Sequence, residues 1–513
     1  MKKAIAIACL LLFILCISQI NAQPANNNNA AKEERNSSMG NQLNPDYTVV
    51  TDHTVVIKGQ TIPYKAFTGS MPVWSDSGKV IAGVFYTYYE RSDVKSRVER
   101  PLVISFNGGP GTPSVWMELG YTGPRILNID DEGYPVQPYG VKENPFSILD
   151  VADIVYVDPV NTGFSRITSN TPPTKFFGVN ADIKYLAEWV STFVTRNNRW
   201  LSPKYLIGES YGTTRVSGLA LELQNVQWMF LNGVILVSPT TLGIERDGPA
   251  DMALRLPYYA ATAWYHHSLP ADLQSKDLTA ILPEVEDFAV NELMPAIAKG
   301  GFLEEAKKKS IAAKMARYSG LSEKSILQRN LNVTPNFFWK ELLRDKGYTV
   351  GRLDSRYLGI DRQEGGEVPD YNAELVSWEH SFAPAMNDYV RNELGYKTDL
   401  KYYVFGPVNP WDRTNDKTGE NLRLAMTENP YLNVFIQSGY YDGACDYFNA
   451  KYSMWQLDPS GRLKDRLSWK GYRSGHMMYL RKPDLETSNN DLREFIKNTL
   501  PKKGEPAKYS RGF

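Results

Sequence analysis

The chain has 513 residues, 42% of them apolar and 12% aromatic, enough for a sizeable core and more than one small domain uses. Its 57 basic and 57 acidic residues cancel. That balance gives no support to nucleic acid or an anionic membrane surface as a partner, though it leaves room for a local patch.

The first element is a targeting segment. Lys2 and Lys3 precede an apolar run over residues 4–17, and small or polar residues follow up to Ala22. This is the order of a cleavable secretory leader over residues 1–22. The run is short for a membrane anchor, and Leu15 is not the small residue that a lipid-anchor site at Cys16 needs. No other stretch is apolar enough to span a bilayer, so no stable span is expected after cleavage. Cysteine usage then narrows the setting. Of Cys9, Cys16 and Cys445, only the last survives loss of the leader. An internal disulfide and a metal site built on several cysteines are excluded. An exported protein held by its core alone suits a bacterial periplasmic or extracellular location.

Residues 23–45 are polar and of low complexity, and read as a disordered linker. From there the chain turns strand-rich. Residues 54–58, 62–67 and 80–89 alternate or run β-branched and aromatic, the pattern of an antiparallel start. Short apolar runs at 102–106, 154–157, 205–207 and 231–237 end in turn residues and are separated by helical segments such as 181–195 and 213–223. That predicts parallel strands with helical crossovers. Residues 241–424 change character, with helical, charged and aromatic segments at 257–265, 285–299 and 303–318. Strand patterns return at 433–437 and 467–469, and 491–498 reads as a closing helix. The expected organisation is an α/β core in two parts, 46–240 and 425–505, interrupted by a largely helical cap at 241–424. Such an insertion covers a site at the carboxyl ends of the strands.

The chemistry centres on Gly208-Glu209-Ser210-Tyr211-Gly212, which follows a strand and precedes a helix. In that setting the serine sits on a strained turn that only small flanking residues allow. Its oxygen lies near a helix N-terminus, where free amides favour negative charge. Ser210 is the candidate nucleophile. Its base must come from five histidines: His53, His266, His267, His380 and His476. In hydrolases with this turn the order is serine, acid, histidine. His476 follows a late strand and fits; His53 precedes the serine, and the other three fall in the insertion. Asp442, in the loop after the preceding strand, is the expected acid. Asp446 competes and is expected to be helix-side and solvated. Ser210 would attack a carbonyl carbon, His476 would carry the proton, and Asp442 would orient the ring. The oxyanion would be held by the amides of Tyr211 and Gly109, the latter from the glycine-rich loop after residues 102–106.

Asn107-Gly108-Gly109-Pro110-Gly111, the Ser210 pentapeptide, Asp442 and Gly475-His476-Met477 together resemble the serine carboxypeptidases. So do Asn144-Pro145-Phe146-Ser147 and the stretch from Asp158 to Ser165. The resemblance spans residues 102–480 and is loose in the insertion. It implies an α/β-hydrolase fold with a largely helical cap. It also implies removal of the C-terminal residue of peptides that carry a free carboxylate, with no cofactor. Asn107 and Glu209 would hold that carboxylate. Glu209 can do so only while it keeps a proton, since adjacent anions repel, so an acidic optimum is expected. Otherwise Glu209 would cap the helix or pair with Arg215. The chain departs from the family where Tyr121 replaces a second glutamate, with Glu118 slightly earlier, and where Ser105 replaces a tryptophan. The family's disulfides are also missing. Two other uses stand beside the peptidase: an esterase or acyltransferase with the same triad, and a non-catalytic binding protein. Tyr258, Tyr259 and Trp264 are candidates for a substrate pocket or for core.

Overall fold

The computed structural model describes residues 42–168 and 170–509. The expected leader and most of the expected linker lie outside them. Gln42 and Thr398–Leu400 group apart from the rest of the described residues, and the Leu400 amide donates to the Thr398 hydroxyl at 3.1 Å.

Nine strands build the path of the main sheet: β1 (Tyr47–Ile57), β2 (Gln60–Trp74), β3 (Val80–Arg91), β4 (Leu102–Phe106), β5 (Asp153–Val157), β6 (Lys204–Glu209), β7 (Gly233–Val237), β8 (Asn433–Gly439) and β9 (Leu467–Tyr472). Their spatial order is β1-β2-β3-β5-β4-β6-β7-β8-β9, with the short strand Arg166–Ile167 beside β3. The first three strands and β5 pair antiparallel; β5, β4, β6, β7, β8 and β9 pair parallel. Sequence pattern explains the change. β1 alternates exposed and buried positions, as an edge strand with one wet face does. By contrast β4, β5, β6 and β7 are buried along their whole length, as parallel strands covered on both faces must be.

The crossovers are α1 (Val179–Arg196) between β5 and β6, and α2 (Tyr211–Asn225) between β6 and β7. Between β7 and β8 lie several helices, among them α3 (Leu256–Tyr265), α4 (Leu278–Phe288), α5 (Glu305–Ser319), α6 (Ala373–Asp388) and α7 (Thr418–Glu428). Helix α8 (Tyr447–Leu457) joins β8 to β9, and α9 (Lys482–Asn498) closes the chain's regular structure. One apolar cluster packs sheet residues such as Ile104, Leu206 and Leu236 against Leu186, Val190, Leu219 and Leu422 of α1, α2 and α7. On the other face, Phe495 of α9 stacks on Phe435 of β8. A second cluster joins α3, α4 and α5 to Tyr440, Tyr441 and Phe448.

Three boundaries differ from the sequence expectation. The segment expected to be helical at 285–299 starts at Leu278, where the Asp277 side chain caps it, and a π-turn interrupts it at Ala289–Leu293. The closing helix begins nine residues before 491, with Pro483 in its first turn, where a missing N–H costs nothing. Helix α7 straddles residue 424 and packs on α2, so the last stretch of the expected insertion is a crossover of the sheet.

Candidate active site

Strand β6 runs straight into α2 through Ser210, whose φ of 58° is a left-handed conformation that side chains rarely adopt. The strain is held from both sides. The Ser210 amide donates to the Val237 carbonyl at 3.0 Å, and the Ser210 carbonyl accepts from the Thr213 amide at 2.9 Å. A Cβ on Gly208 would strike the Gly212 carbonyl, and one on Gly212 would stand 2.7 Å from the Phe106 carbonyl. The pentapeptide therefore needs its two glycines for packing: the turn is wedged between its own helix and the end of β4.

The acid and the base follow the ends of β8 and β9. Asp442, fully buried, accepts from the Ala444 and Cys445 amides through Oδ1, at 2.9 and 3.0 Å. Its Oδ2 takes His476 Nδ1 at 2.7 Å. Burial works against a charged imidazole, but the Asp442 carboxylate outweighs it and His476 is held above its ordinary pKa. The loop bearing His476 is tied to β7 by the Ser238 hydroxyl, which donates to the His476 carbonyl at 2.7 Å. Consecutive residues, Val237 and Ser238, thus anchor Ser210 and His476. Among the described residues, neither the Ser210 hydroxyl nor His476 Nε2 is hydrogen-bonded to another group. Asp446 caps α8, accepting from the Asn449 amide at 3.0 Å. It is helix-side as expected but buried rather than solvated. His53 stands on β1 beside Glu393, His266 bonds the Ser355 carbonyl at 2.6 Å, and His380 is exposed on α6.

Asp442, Cys445 and His476 place one donor atom each within 4.8 Å of one another, a composition that suits a metal. The Nδ1–H···Oδ2 bond already engages two of these side chains with each other.

The loop after β4 lies against the elbow. A Cβ on Gly108 would run into the Tyr211 amide. Tyr211 opens α2, so its N–H has no intrahelical acceptor. Gly109 is exposed, with a φ of 104°, and its amide donates to no backbone carbonyl among the described residues. Asn107 is buried, its Oδ1 accepting from the Met117 amide at 3.1 Å.

Glu209 is 3% exposed. Burial pushes its carboxyl up to about 7, against the pull of His476, Tyr479 and Asn107. Tyr479 donates its phenol proton to Glu209 Oε2. Neither sequence-level alternative for Glu209 holds, for Arg215 pairs with Asp182 at 2.6 Å, and no side chain caps α2. Arg215 also donates to the Asn107 carbonyl at 2.5 Å and the Pro110 carbonyl at 3.4 Å. One buried ion pair therefore clamps the glycine-rich loop to the helix that follows Ser210. Tyr121, at the place of the second glutamate, stacks on Tyr479 with ring centroids 4.8 Å apart and planes 6° apart. Glu118 takes a different partner, the Tyr89 phenol at 2.6 Å, and burial pushes it up to about 8. The buried Ser105 hydroxyl has no hydrogen-bond partner among the described residues.

Sequence reasoning missed Tyr479, the Arg215 clamp and a brace from the insertion. Backbone of residues 352–355 grips the loops that bear Asp442 and His476. The Gly443 amide donates to the Arg352 carbonyl at 2.9 Å, the His476 amide to the Leu353 carbonyl at 2.6 Å, and the Ser355 amide to the Tyr441 carbonyl at 3.0 Å. Tyr258 and Tyr259 are core, Tyr258 accepting from Trp339 Nε1 at 2.8 Å beneath Gly443.

Strand order and elbow together make this an α/β-hydrolase fold, with a solved relative of the same architecture. A prohormone-processing carboxypeptidase from Saccharomyces cerevisiae superposes with a TM-score of 0.50 at 15% identity, covering 85% of this chain and 92% of its own. The serine carboxypeptidase profile matches residues 58–478, and the chain belongs to that family. Serine carboxypeptidase-like 13 of Arabidopsis thaliana is 28% identical over 199 residues, 37% of this chain and 44% of its own length. Serine carboxypeptidase-like 36 of the same plant is 30% identical over 167 residues, 31% of this chain and 32% of its own length. The matched stretches span less than half of either relative.

Proposed function

We propose that the chain is a serine carboxypeptidase that removes the last residue of peptides. The observation that carries this reading is a buried, protonatable carboxyl at Glu209, next in sequence to the serine at the elbow. Ser210 attacks the last peptide carbonyl while His476 Nε2 accepts its proton, and Asp442 stabilises the imidazolium. The Gly109 and Tyr211 amides take the oxyanion. The imidazolium then protonates the departing amine, and water repeats the sequence to free the acyl group. Asn107 and a protonated Glu209 receive the free carboxylate of the departing residue. Export through a leader at residues 1–22 belongs to the same reading. Among the described residues no helix is long and apolar enough to cross a membrane.

The pH dependence follows from two opposed demands. His476 must be neutral to act as base, so turnover rises with pH at the acid end. Glu209 must be protonated, so affinity for a free carboxylate falls as pH climbs through about 7. The groups interact, since a charged Glu209 also raises His476, and the limbs belong to the pair. N-blocked dipeptides with a free C-terminal acid should be cleaved best on the acid side of neutrality. Their C-terminal amides should be cleaved poorly there, with no loss above pH 7. Equal cleavage of acid and amide at every pH would refute the exopeptidase reading.

A second reading, ester hydrolysis or acyl transfer by the same triad, draws on one observation: the partner of Glu209 is a tyrosine rather than a second acid. Turnover of simple esters with none of the peptide acids between pH 4 and 8 would favour it.

A further inference from the structure

The Tyr211 amide lies on the peptide plane that joins it to Ser210, and Ser210 holds that plane from a strained backbone, at φ 58° and ψ −126°. A residue with a side chain stays in such a conformation only where its surroundings fix it. Thr213 fixes the carbonyl end of the plane, its amide and hydroxyl both donating to the Ser210 carbonyl, at 2.9 and 2.6 Å. The other end is Tyr211, which is fixed through its side chain. The Tyr211 ring is 7% exposed. The Arg215 guanidinium carbon stands 5.4 Å from its centroid, and Trp411 meets it edge-on, with centroids 5.4 Å apart and planes at 85°. Trp411 Nε1 donates to the Tyr211 hydroxyl at 3.0 Å, the one hydrogen bond of that hydroxyl among the described residues.

Trp411 belongs to a strap of the insertion, residues 403–412, that is bonded across the neighbouring loops. Tyr403 and Gly163 exchange backbone hydrogen bonds of 2.9 and 3.0 Å, and the Gly406 amide donates to the Gly111 carbonyl at 2.7 Å. The Asp412 amide donates to the Phe177 carbonyl at 3.3 Å, and the Asp412 carbonyl accepts from the Val179 amide at 2.8 Å. The Trp411 ring also stacks on Phe177, with centroids 6.3 Å apart and planes 21° apart. At Gly111 the strap lies flat on the loop, for a Cβ there would stand 2.8 Å from the Gly406 carbonyl oxygen. One strap is therefore tied to both segments that carry the proposed oxyanion donors. It reaches the glycine-rich loop through Gly111, two residues and so at most about 7 Å from Gly109, and it reaches the elbow through Tyr211 itself.

We propose that Trp411 is a positioning residue for the oxyanion hole: by holding the Tyr211 phenol it keeps the Tyr211 amide aimed at the developing oxyanion. Its effect then falls on the transition state, where the negative charge forms, and spares the bound substrate. The proposal rests on Ser210 as nucleophile with the Tyr211 amide as donor, and does not require the substrate to be a peptide. Its test compares the wild type with Trp411→Phe, Tyr211→Phe and the double variant, on an N-blocked dipeptide acid and on p-nitrophenyl acetate. Turnover is expressed per site titrated with a fluorophosphonate. Phenylboronic acid, whose tetrahedral serine adduct mimics the transition state, is the inhibitor. Each single change removes the same hydrogen bond and keeps an aromatic ring. Each should lower kcat about tenfold, a part of the roughly 10²–10³-fold that loss of a whole oxyanion donor costs. The boronate should bind weaker by the same factor, with KM unchanged, and the double variant should lose no more than either single one. A raised KM at unchanged kcat, or losses that multiply in the double variant, would overturn the positioning role. So would fewer titrated sites with kcat per site intact, the mark of a merely structural tryptophan. Tyr211→Phe deletes one oxygen only and keeps the test sound if Trp411→Phe fails to fold. A wild type that cleaves the ester and not the peptide would sink the peptidase reading, while the same tenfold losses on the ester would uphold Trp411. A wild type that cleaves neither and binds no boronate would overturn both.

Discussion

Burial raises the Glu209 carboxyl to about 7, so it keeps its proton below that pH, while His476, the Tyr479 phenol and Asn107 pull the other way. The Tyr479 hydrogen bond favours the ionised carboxyl. Tyr479→Phe should therefore raise the Glu209 pKa and move the alkaline fall in affinity for peptide acids to higher pH. KM against pH is the readout, and a merely structural role for Tyr479 would lower activity without moving that limb. Asp442→Asn should keep the loop, whose two amides can still bond an amide oxygen. It would remove the acceptor that fixes the imidazole tautomer, with kcat falling on the order of 10⁴-fold. A loss below tenfold would remove Asp442 from the triad. The candidate triad of Ser210, Asp442 and His476 could be picked from the sequence because each stands in a short motif at a strand end. Tyr479 could not, because its partner is 270 residues away and nothing local marks a phenol within Met477 to Leu480 as polar in role.

The elbow works only if the β4 loop stays pressed against α2, and the Arg215–Asp182 pair supplies that pressure from α1. Arg215→Gln would leave Asp182 buried without its cation, at a cost of about 3–5 kcal/mol. It would also free the Asn107 carbonyl. We expect a lower unfolding midpoint in urea together with a raised KM for peptide acids. Asp182→Asn added to Arg215→Gln should recover part of the stability and none of the KM, since the clamp stays absent; full recovery of both would show that the pair has no role in holding the loop. The strands of the sheet could be read from their apolar runs, because burial on both faces leaves a continuous signal. The brace at 352–355 could not. It acts through backbone carbonyls and an amide, which nearly any residue supplies, and its place depends on how the insertion folds back.

Across the whole molecule, several buried carboxyls share one property. Burial raises Glu118 to about 8 and Asp158, Glu209 and Glu374 to about 7. Each is protonated in the fold at a pH where the unfolded chain would ionise it. The stability they contribute is complete below the ordinary carboxylate range, near pH 4, and is lost as pH rises through 7 to 8. Over that window each adds a slope of about 1.4 kcal/mol per pH unit. The thermal midpoint should therefore be higher at pH 5 than at pH 8, and Glu118→Gln should narrow the difference. A midpoint flat from pH 5 to 8 would mean that these groups are hydrated in solution. The most direct test of Ser210 as nucleophile is covalent. A fluorophosphonate should add to Ser210, found by peptide mapping with mass spectrometry, and His476→Gln should abolish the adduct while leaving the fold intact. No adduct, or one on another serine, would show that Ser210 is not the nucleophile.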